Sequence, residues 1–402
     1  MACRNTPEIL QMNPPKILIV DDDDIQRTIL CHTLGGEACL LLEAGDGQQA
    51  LEIVDREMPD LILLDVMMPV MDGIEALRRL KADNRTSQIP VIIITALTAE
   101  SDVAASLEEG AIDHICKPFS ELIVRTRVRA ALRNRAAAVA SAAGATPLRK
   151  RGRLIGFLGA KGGVGVTTAA VNTALAMTAP QRSVVLLELH ASPGTVARQL
   201  DVLTDRNLGV LFAQAADGNL DSVTVSKYLT NHRSGVQVLL APPTIDHRRE
   251  IATQRAENLL YTLGGMFDFV IVDLPDLASP ATRAALLVCD FIVLTLELEA
   301  TCLGLSQGVF ASIVSGQIAA GRVGALLILH QSSAGTLITV GYARSQLTCP
   351  MVGVIPPCGD QNLQALKIGV PIVHSAPSCA AAIAYNELGA RLMADRIQAL
   401  TF

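Results

Sequence analysis

Residues 153–168 read RLIGFLGAKGGVGVTT, and the helix-forming stretch AAVNTALAM follows at 169–177. An apolar run, a glycine-rich loop and a helix in this order are the context in which a loop can bind phosphates. The backbone N–H groups of the loop and the start of the helix would point at the anion. We expect these donors to come from Gly162, Gly163, Gly165 and Val166, with Thr167 placed to ligate Mg²⁺.

Short apolar runs alternate with helical patterns from this loop to the C-terminus. The predicted strands are RLIGFLGA (153–160), SVVLLEL (183–189), VQVLLAP (236–242), FDFVIVDLP (267–275), DFIVLTLE (290–297) and GALLILH (324–330). Strands that alternate with helices predict a doubly wound α/β domain with a parallel sheet. We place this nucleotide-binding domain at residues 152–402.

A second alternating pattern precedes the loop. Its predicted strands are KILIV (16–20), ACLLLEA (38–44), LILLD (61–65), VIIIT (91–95) and HICK (114–117). Five strands in ~120 residues indicate a second, smaller α/β domain, which we place at residues 16–135. The Ala-rich stretch that follows is punctuated by Gly and Pro, so we interpret residues 136–151 as a linker that begins as the end of the fifth helix.

Polar side chains end several strands of the first domain. Asp21 and Asp22 follow the first strand, Asp65 ends the third, Thr95 the fourth, and Lys117 the fifth. The carboxyl ends of parallel strands line the crevice where ligands bind. Clustered carboxylates there need a cation, and oxygen ligands suit Mg²⁺. The hydroxyl and the ammonium group are those needed to hold a transferred phosphoryl group.

Composition limits the remaining possibilities. The 402 residues are 50% hydrophobic and 3% aromatic, which predicts two or three domains with aliphatic cores. A net charge of -6 argues against a general nucleic-acid surface, so no specific nucleic-acid partner is expected. Nine scattered cysteines favour reduced buried thiols, and no signal peptide or membrane span is evident, so we expect a cytosolic protein.

The first domain resembles response-regulator receiver domains. The matching motifs are ILIVDDDD (17–24), LILLDVMMPVMDG (61–73), VIIITA (91–96) and KPF (117–119). The resemblance implies a five-stranded flavodoxin-like fold in which Asp65 accepts a phosphoryl group from a histidine kinase or phosphotransfer protein. It also implies that Asp21 and Asp22 help to hold Mg²⁺ and that Thr95 and Lys117 contact the phosphoryl group. Receivers usually carry an aromatic switch residue at the position of His114. The sequence therefore departs here from the usual pairing of an aromatic residue with the Thr.

The loop KGGVGVTT (161–168) resembles the deviant Walker A motif of the MinD/ParA family, K-G-G-x-G-K-[TS]. The resemblance implies that Lys161 reaches across a nucleotide-sandwiched homodimer to the partner's phosphates. Val166 replaces the ordinary loop lysine, and a lost contact of that kind costs about 1.5–3 kcal/mol. With the strand-ending Asp273, which resembles the Walker B aspartate, the implied ATP–Mg²⁺ site comprises Lys161, Gly162, Gly163, Val164, Gly165, Val166, Thr167, Thr168 and Asp273.

Other positions of this family motif have changed. The first switch, normally D-x-D, reads Glu188-Leu189-His190, so the acid that orients water has become His. We interpret His190 as an ordinary surface loop residue and expect nucleotide binding with slow or absent hydrolysis. The stretch VIPPCGDQ (354–361) resembles the Pro-rich turn that contacts the base in MinD-type proteins, while His330 and Gln331 replace the usual Asn-Arg.

A receiver followed by a deviant-Walker ATPase domain resembles the CpaE/TadZ family of pilus-assembly proteins. That resemblance covers nearly the whole chain from Lys16 onward. It implies a cytoplasmic localisation factor, often at a cell pole, that recruits the secretion machinery of a tight-adherence (Flp-type) pilus. Peripheral membrane association would then arise through partners.

Two alternatives stay open at this point. An active ATPase for partitioning or positioning would want an intact K-G-G-x-G-K-[TS] loop, a D-x-D switch and a basic DNA-facing surface. A transcription factor, the commonest output of receivers, would need a helix-turn-helix module, whereas the C-terminal domain has an alternating strand–helix pattern. A nucleotide-hydrolysis assay with and without DNA tests the partitioning ATPase. A DNA-shift assay tests the transcription factor.

Overall fold

The computed structural model describes residues 14–96, 109–142, 151–215, 220–244, 250–316, 318–329 and 338–394. The chain divides into two compact units, Met1–Leu148 and Arg149–Phe402. This division falls inside the stretch 136–151 that the sequence suggests as a linker.

The first unit is built on a five-stranded parallel sheet. Its strands are β1 (Lys16–Val20), β2 (Leu40–Ala44), β3 (Leu61–Asp65), β4 (Val91–Thr95) and β5 (Asp113–Cys116), in the spatial order β2-β1-β3-β4-β5. Strands β3 and β4 are buried along their whole length, as expected of central strands covered on both faces. Each predicted strand of this unit is present.

The described helices of this unit are α1 (Asp24–Leu34), α2 (Gly47–Glu57), α3 (Gly73–Ala82) and α4 (Glu121–Ala142). An aspartate precedes each of the first three and accepts a hydrogen bond from a backbone N–H of the first turn: Asp23 from Ile25, Asp46 from Gln49 and Asp72 from Glu75. Such caps satisfy donors that the helix itself leaves unpaired. Helix α4 continues to Ala142, so the first part of the predicted linker is helical.

The second unit contains an eight-stranded sheet in the order β13-β12-β11-β6-β10-β7-β9-β8. Its strands are β6 (Arg153–Gly159), β7 (Val184–Glu188), β8 (Thr230–Asn231), β9 (Gln237–Leu239), β10 (Phe269–Asp273), β11 (Phe291–Glu297), β12 (Val323–Ile328) and β13 (Met351–Ile355). All pairs are parallel except β8 with β9. Two residues of β8 are too few to produce a sequence pattern, so this edge strand was missed.

Helices cover both faces of this sheet. Those described are α5 (Val166–Met177), α6 (Val196–Gln199), α7 (Leu208–Gln214), α8 (Ser222–Ser226), α9 (Thr253–Met266), α10 (Pro280–Val288), α11 (Ala300–Ser315), α12 (Val340–Gln346), α13 (Asp360–Ile368), α14 (Ile372–Ser375) and α15 (Ala380–Met393). Two separate aliphatic clusters result, and successive residues of β6 alternate between them: Leu154 and Leu158 belong to one cluster, Ile155 and Phe157 to the other. The predicted fold class, two doubly wound α/β domains, is confirmed.

The sequence predicts reduced cysteines and no membrane-spanning helix. No disulfide joins the cysteines of the described residues, and Cys289, Cys302 and Cys349 are buried. Among the described helices, none combines the length and the apolar character needed to cross a bilayer.

The start of helix α3 lies unusually close to the end of β3. A Cβ atom at Gly73 would stand 2.0 Å from the carbonyl oxygen of Asp65, and the Gly73 N–H donates to the carbonyl of Val66 at 2.9 Å. Only a residue without a side chain permits this approach. Gly73 therefore sets the position of the backbone that carries Asp65.

Replacing Gly73 with alanine should destabilise the first unit by about 1–3 kcal/mol, because backbone atoms must move apart. Hydrogen–deuterium exchange of β1 and β3 peptides in the full chain measures this opening free energy. The matched control is Gly36→Ala, where the nearest atom to the new Cβ is the end of the Arg125 side chain at 3.9 Å. Equal exchange in Gly73→Ala and wild type would contradict the steric argument.

Candidate functional site

The first unit gathers three carboxylates at the carboxyl edge of its sheet. Asp21 follows β1 and is 1% exposed, Asp65 ends β3 and is 6% exposed, and Asp22 is exposed. One ligand atom from each lies within 4.8 Å of the others. An all-oxygen set that mixes buried and exposed donors fits Mg²⁺, which keeps part of its water shell. The three predicted metal ligands of this unit are thus brought together.

Lys117 completes this pocket. Its Nζ atom donates to Asp21 Oδ2 at 2.7 Å and to Asp65 Oδ2 at 2.9 Å. Burial raises the pKa of Asp65, although the ammonium group of Lys117 opposes that shift. Burial disfavours the charged form of Lys117, but its bonds to both aspartates leave its pKa raised. The lysine is therefore a fixed cation beside the acceptor carboxylate.

Two further residues of this pocket lie on neighbouring strands. Thr95 ends β4, is 3% exposed, and directly follows Ile94, the residue in register with Asp65. His114 on β5 is half-buried, its Nδ1 atom has no hydrogen-bond partner among the described residues, and burial lowers the pKa of its ring. Thr95 is thus placed on the strand beside the acceptor, as the sequence pattern predicts.

The glycine-rich loop of the second unit borders a cavity of about 740 Å³. Among the predicted residues, those lining it are Lys161, Gly162, Gly163, Gly165, Val166, Thr167, Thr168 and Asp273. Gly163 and Gly165 have φ angles of 83° and 91°, a left-handed backbone that favours glycine. Val164 does not line the cavity, because its side chain is fully buried in the aliphatic core. Only its backbone can contribute to binding.

Asp273 stands at the floor of this cavity, at the end of β10. Its side chain is 1% exposed, and both carboxylate oxygens lack hydrogen-bond partners in the described structure. Burial raises the pKa of Asp273 to about 7; the Thr167 hydroxyl lowers it and Glu188 raises it further. A buried carboxylate with no cation beside it and only the Thr167 hydroxyl to stabilise its charge is costly, so the site suits a cation. Thr167 and Asp273 fit a nucleotide-bound Mg²⁺ ion.

His190 is not the surface loop residue suggested by the sequence. Its side chain is only 20% exposed, lines the same cavity, and places Nε2 3.6 Å from Oδ2 of Asp273. Burial lowers the pKa of the His190 ring. The physical reason is topological, because β7 lies next to β10 and both strands end at this edge. The position of β7 in the sheet, and not the polarity of the histidine ring, therefore places the His190 side chain in the cavity.

Glu188, the other residue of the altered switch, has a structural role. Its carboxylate accepts hydrogen bonds from the backbone N–H of Val196 at 2.9 Å and of Ala241 at 3.0 Å. It is buried, and these two donors satisfy it. Glu188 ties two loops together and does not point unpaired into the cavity.

Lys161 is paired within its own chain. Its Nζ atom lies 3.3 Å from Oε2 of Glu297 and forms a closer ion pair with Glu299. The hydrogen bond to Glu299, aided by Glu297, raises the pKa of Lys161. Sequence reasoning missed both glutamates, although Glu297 ends the predicted strand DFIVLTLE and Glu299 follows it at the same sheet edge, which was a usable signal. Among the described lining residues of the cavity, Lys161 is the only Lys or Arg.

A smaller cavity of about 170 Å³ adjoins the loop. Gly165 and Thr168 form one side, and Pro356, Pro357 and Tyr385 contribute to the rest. Its position beside the phosphate loop agrees with the expected role of the Pro-rich turn. The two altered base-contacting positions, His330 and Gln331, lie outside the described residues.

Comparison with known proteins divides the chain in the same way. Residues 17–129 match the response regulator receiver domain family, and residues 152–313 match an AAA domain family. The transcriptional regulatory protein AfsQ1 of Streptomyces coelicolor is 40% identical over 119 residues, 30% of this chain and 52% of that protein. The response regulator PleD of Caulobacter vibrioides is 43% identical over 118 residues, 29% of this chain and 26% of that protein. The chain thus spans between a quarter and about half of these relatives.

Solved structures resemble the second unit. A ParA family ATPase from Chlorobium tepidum superposes with a TM-score of 0.54 at 19% identity, covering 60% of this chain and 99% of that one. The septum site-determining protein MinD from Pyrococcus horikoshii, complexed with Mg-ADP, gives 0.50 at 21% identity, covering 59% and 94%. The chain therefore carries a response regulator receiver domain in its first unit. More particularly, it is a receiver joined to a P-loop domain with the ParA/MinD fold.

Acetyl phosphate with Mg²⁺ should add one phosphoryl group to Asp65, because this carboxylate ends β3 at 2.9 Å from Lys117 and the receiver resemblance implies that it is the phosphoacceptor. Peptide mapping by mass spectrometry locates the group, and Asp65→Asn should abolish it. Asp55→Asn, an exposed acid on α2, is the control and should be modified as wild type. A phosphoryl group on a different residue would refute the assignment.

Asp273→Asn should stabilise the metal-free protein increasingly as pH rises. The raised pKa means that the native state binds this proton more tightly than the unfolded chain between the ordinary carboxyl pKa and about 7. The contribution of this group to stability is therefore present at low pH and is lost as pH rises toward about 7. Exchange of β10 peptides in EDTA from pH 5 to 8 measures the difference between variant and wild type. Asp276→Asn, an exposed acid nearby, is the control; a pH-independent difference for Asp273→Asn would contradict the sign.

Proposed function

We propose that this protein is a phosphorylation-regulated, nucleotide-binding localisation and scaffold factor for assembly of a tight-adherence (Flp-type) pilus, of the CpaE/TadZ kind. Support comes from the order of the domains, a receiver followed by a ParA/MinD-like domain, and from the altered loop and switch of the second unit. In this proposal the chain acts in the cytoplasm, at a cell pole or the membrane periphery. There it recruits the pilus secretion machinery, and any peripheral association with the membrane arises through its partners.

The receiver takes its phosphoryl group from a histidine kinase or a phosphotransfer protein. A carboxylate oxygen of Asp65 attacks phosphorus as the bond to the donor's imidazole nitrogen breaks, giving an acyl phosphate. Mg²⁺, when held by Asp21, Asp22 and Asp65, offsets charge on the phosphoryl oxygens. Lys117, already 2.9 Å from Asp65, contributes a fixed positive charge, and Thr95 supplies a hydroxyl.

The second unit binds ATP with Mg²⁺ and hydrolyses it slowly or not at all. The observation that carries this proposal is the charge of the cavity: its one lysine is bound to Glu297 and Glu299, and Val166 is uncharged. Phosphoryl transfer needs positive charge on the leaving oxygens and a positioned water. The backbone N–H donors of the loop are present, so nucleotide binding is retained. The transition state for hydrolysis lacks the positive charge and the positioned water that would stabilise it.

A homodimer follows from the same site. Two cavities facing each other across a nucleotide would let Lys161 of each chain reach the partner's phosphates, as the loop's resemblance implies. The Glu297 and Glu299 pair competes with that contact, so dimerisation in this proposal requires nucleotide to displace Lys161 from its own acids. Nucleotide binding and association are then linked by mass action.

An active partitioning ATPase is the alternative favoured by one observation, the retained pair Thr167 and Asp273 in a ParA-like fold. Phosphate release measured with and without DNA tests it, since turnover stimulated by DNA would support that alternative. A transcriptional output, suggested by the name of the relative AfsQ1, predicts a shifted DNA band. Neither result is expected under the scaffold proposal.

Val166→Lys should tighten ATP binding by about tenfold to a hundredfold, because a cation returns beside the phosphates. It should not restore rapid hydrolysis, since His190 still occupies the position of the water-orienting acid. Equilibrium dialysis with ATP and a phosphate-release assay measure the two effects. Val166→Met, which is long but uncharged, is the matched control and should bind as wild type. Rapid turnover by the wild-type protein would refute the proposal of a degenerate site.

A further inference from the structure

Polar atoms of two side chains, buried and without a hydrogen-bond partner in the described structure, lie close together in the cavity. His190 Nε2 and both oxygens of Asp273 are buried and have no hydrogen-bond partner within the described residues. The 3.6 Å between Nε2 and Oδ2 is beyond the range of a hydrogen bond. Buried polar atoms of this kind need a partner, and here two of them point at the same small volume.

We propose that His190 and Asp273, with the Thr167 hydroxyl, form a mixed nitrogen–oxygen site for a borderline divalent transition-metal ion such as Co²⁺ or Zn²⁺. Water completes the coordination in the nucleotide-free protein, and under the proposed function nucleotide phosphates replace that water. Imidazole nitrogen is a preferred ligand of these ions, whereas Mg²⁺ prefers oxygen. The replacement of a carboxylate by His at position 190 thus changes which cation the site selects.

The observed separation fits this ion class. Two ligands about 2.1 Å from one ion at a tetrahedral angle stand about 3.4 Å apart. Octahedral Mg²⁺ with ligands at about 2.0–2.1 Å and right angles would bring them to about 2.9 Å. The distance from Nε2 to Oδ2, 3.6 Å, is nearer to the first arrangement. A small inward movement of either side chain suffices.

The charged side chains of Glu188 and Lys161 are already paired with other groups. The buried Glu188 carboxylate already accepts bonds from the N–H groups of Val196 and Ala241, so it is not available as a third donor. Lys161 cannot supply the missing charge while it is paired with Glu297 and Glu299. A bound metal ion is therefore the group that would neutralise the Asp273 carboxylate.

Titration of the metal-free full-length protein with Co²⁺ tests the proposal. Low-coordinate Co²⁺ with a nitrogen ligand absorbs strongly in the visible region, whereas Co²⁺ at the all-oxygen receiver site absorbs weakly. We expect the wild type to show the strong band and His190→Asp to bind Co²⁺ at this site at least tenfold more weakly. His232→Asn, which removes a buried histidine elsewhere in the same unit, is the matched control and should keep the band. No strong band in the wild type, or an unchanged one in His190→Asp, would overturn the proposal.

Pulsed electron paramagnetic resonance of Co²⁺ bound to the wild type needs no variant and guards against misfolding of His190→Asp. Coupling to an imidazole nitrogen supports the proposal, and its absence overturns it. Equilibrium dialysis of ATP with Mg²⁺ and with Co²⁺ separates the two levels of inference. If ATP binds with neither ion, the proposed nucleotide function fails, while the Co²⁺ band still decides the metal site. Equal ATP affinity with both ions, unaltered by His190→Asp, overturns the metal inference and leaves nucleotide binding standing.

Discussion

Buried carboxylates at the ends of parallel strands are the constraint on which both units depend. Asp65 ends β3 and Asp273 ends β10, and burial raises the pKa of each. A carboxylate in such a place must find a cation, take up a proton or cost folding free energy. In the first unit Lys117 provides the cation from the same chain. In the second unit no Lys or Arg within the described cavity lining reaches Asp273. The charge state of Asp273 therefore depends on the ligand or ion that binds in the cavity.

The two sites therefore differ in what each needs from a ligand. The receiver pocket is complete without ligand, because Lys117 satisfies Asp21 and Asp65 at the same time. The phosphate loop keeps its backbone geometry, with glycines at positive φ, while its charged side chains have changed. Backbone donors bind phosphate whatever side chain follows, whereas transition-state support needs particular charges. Under the proposed function, the second unit therefore binds phosphate without supporting its transfer.

The sequence was sufficient for the fold and for residues at strand ends, because both follow from local periodicity. KILIV and LILLD predict where Asp21 and Asp65 lie, and FDFVIVDLP does the same for Asp273. It was insufficient where a contact joins distant segments. The pairing of Lys161 with Glu297 and Glu299 spans more than a hundred residues and depends on β11 lying beside β6. Burial of His190 likewise follows from strand order, which periodicity does not give.

Under the proposed function, nucleotide binds without turnover and acts on this protein as a structural ligand. Its free energy of binding stabilises whichever state presents the completed cavity, and nothing removes it except dissociation. Lys161 must leave Glu297 and Glu299 before it can contact phosphate, so those two acids set how much of that free energy is used. Such a site holds one assembled state over a wide range of nucleotide concentration. A scaffold needs that behaviour, and a cycling ATPase does not.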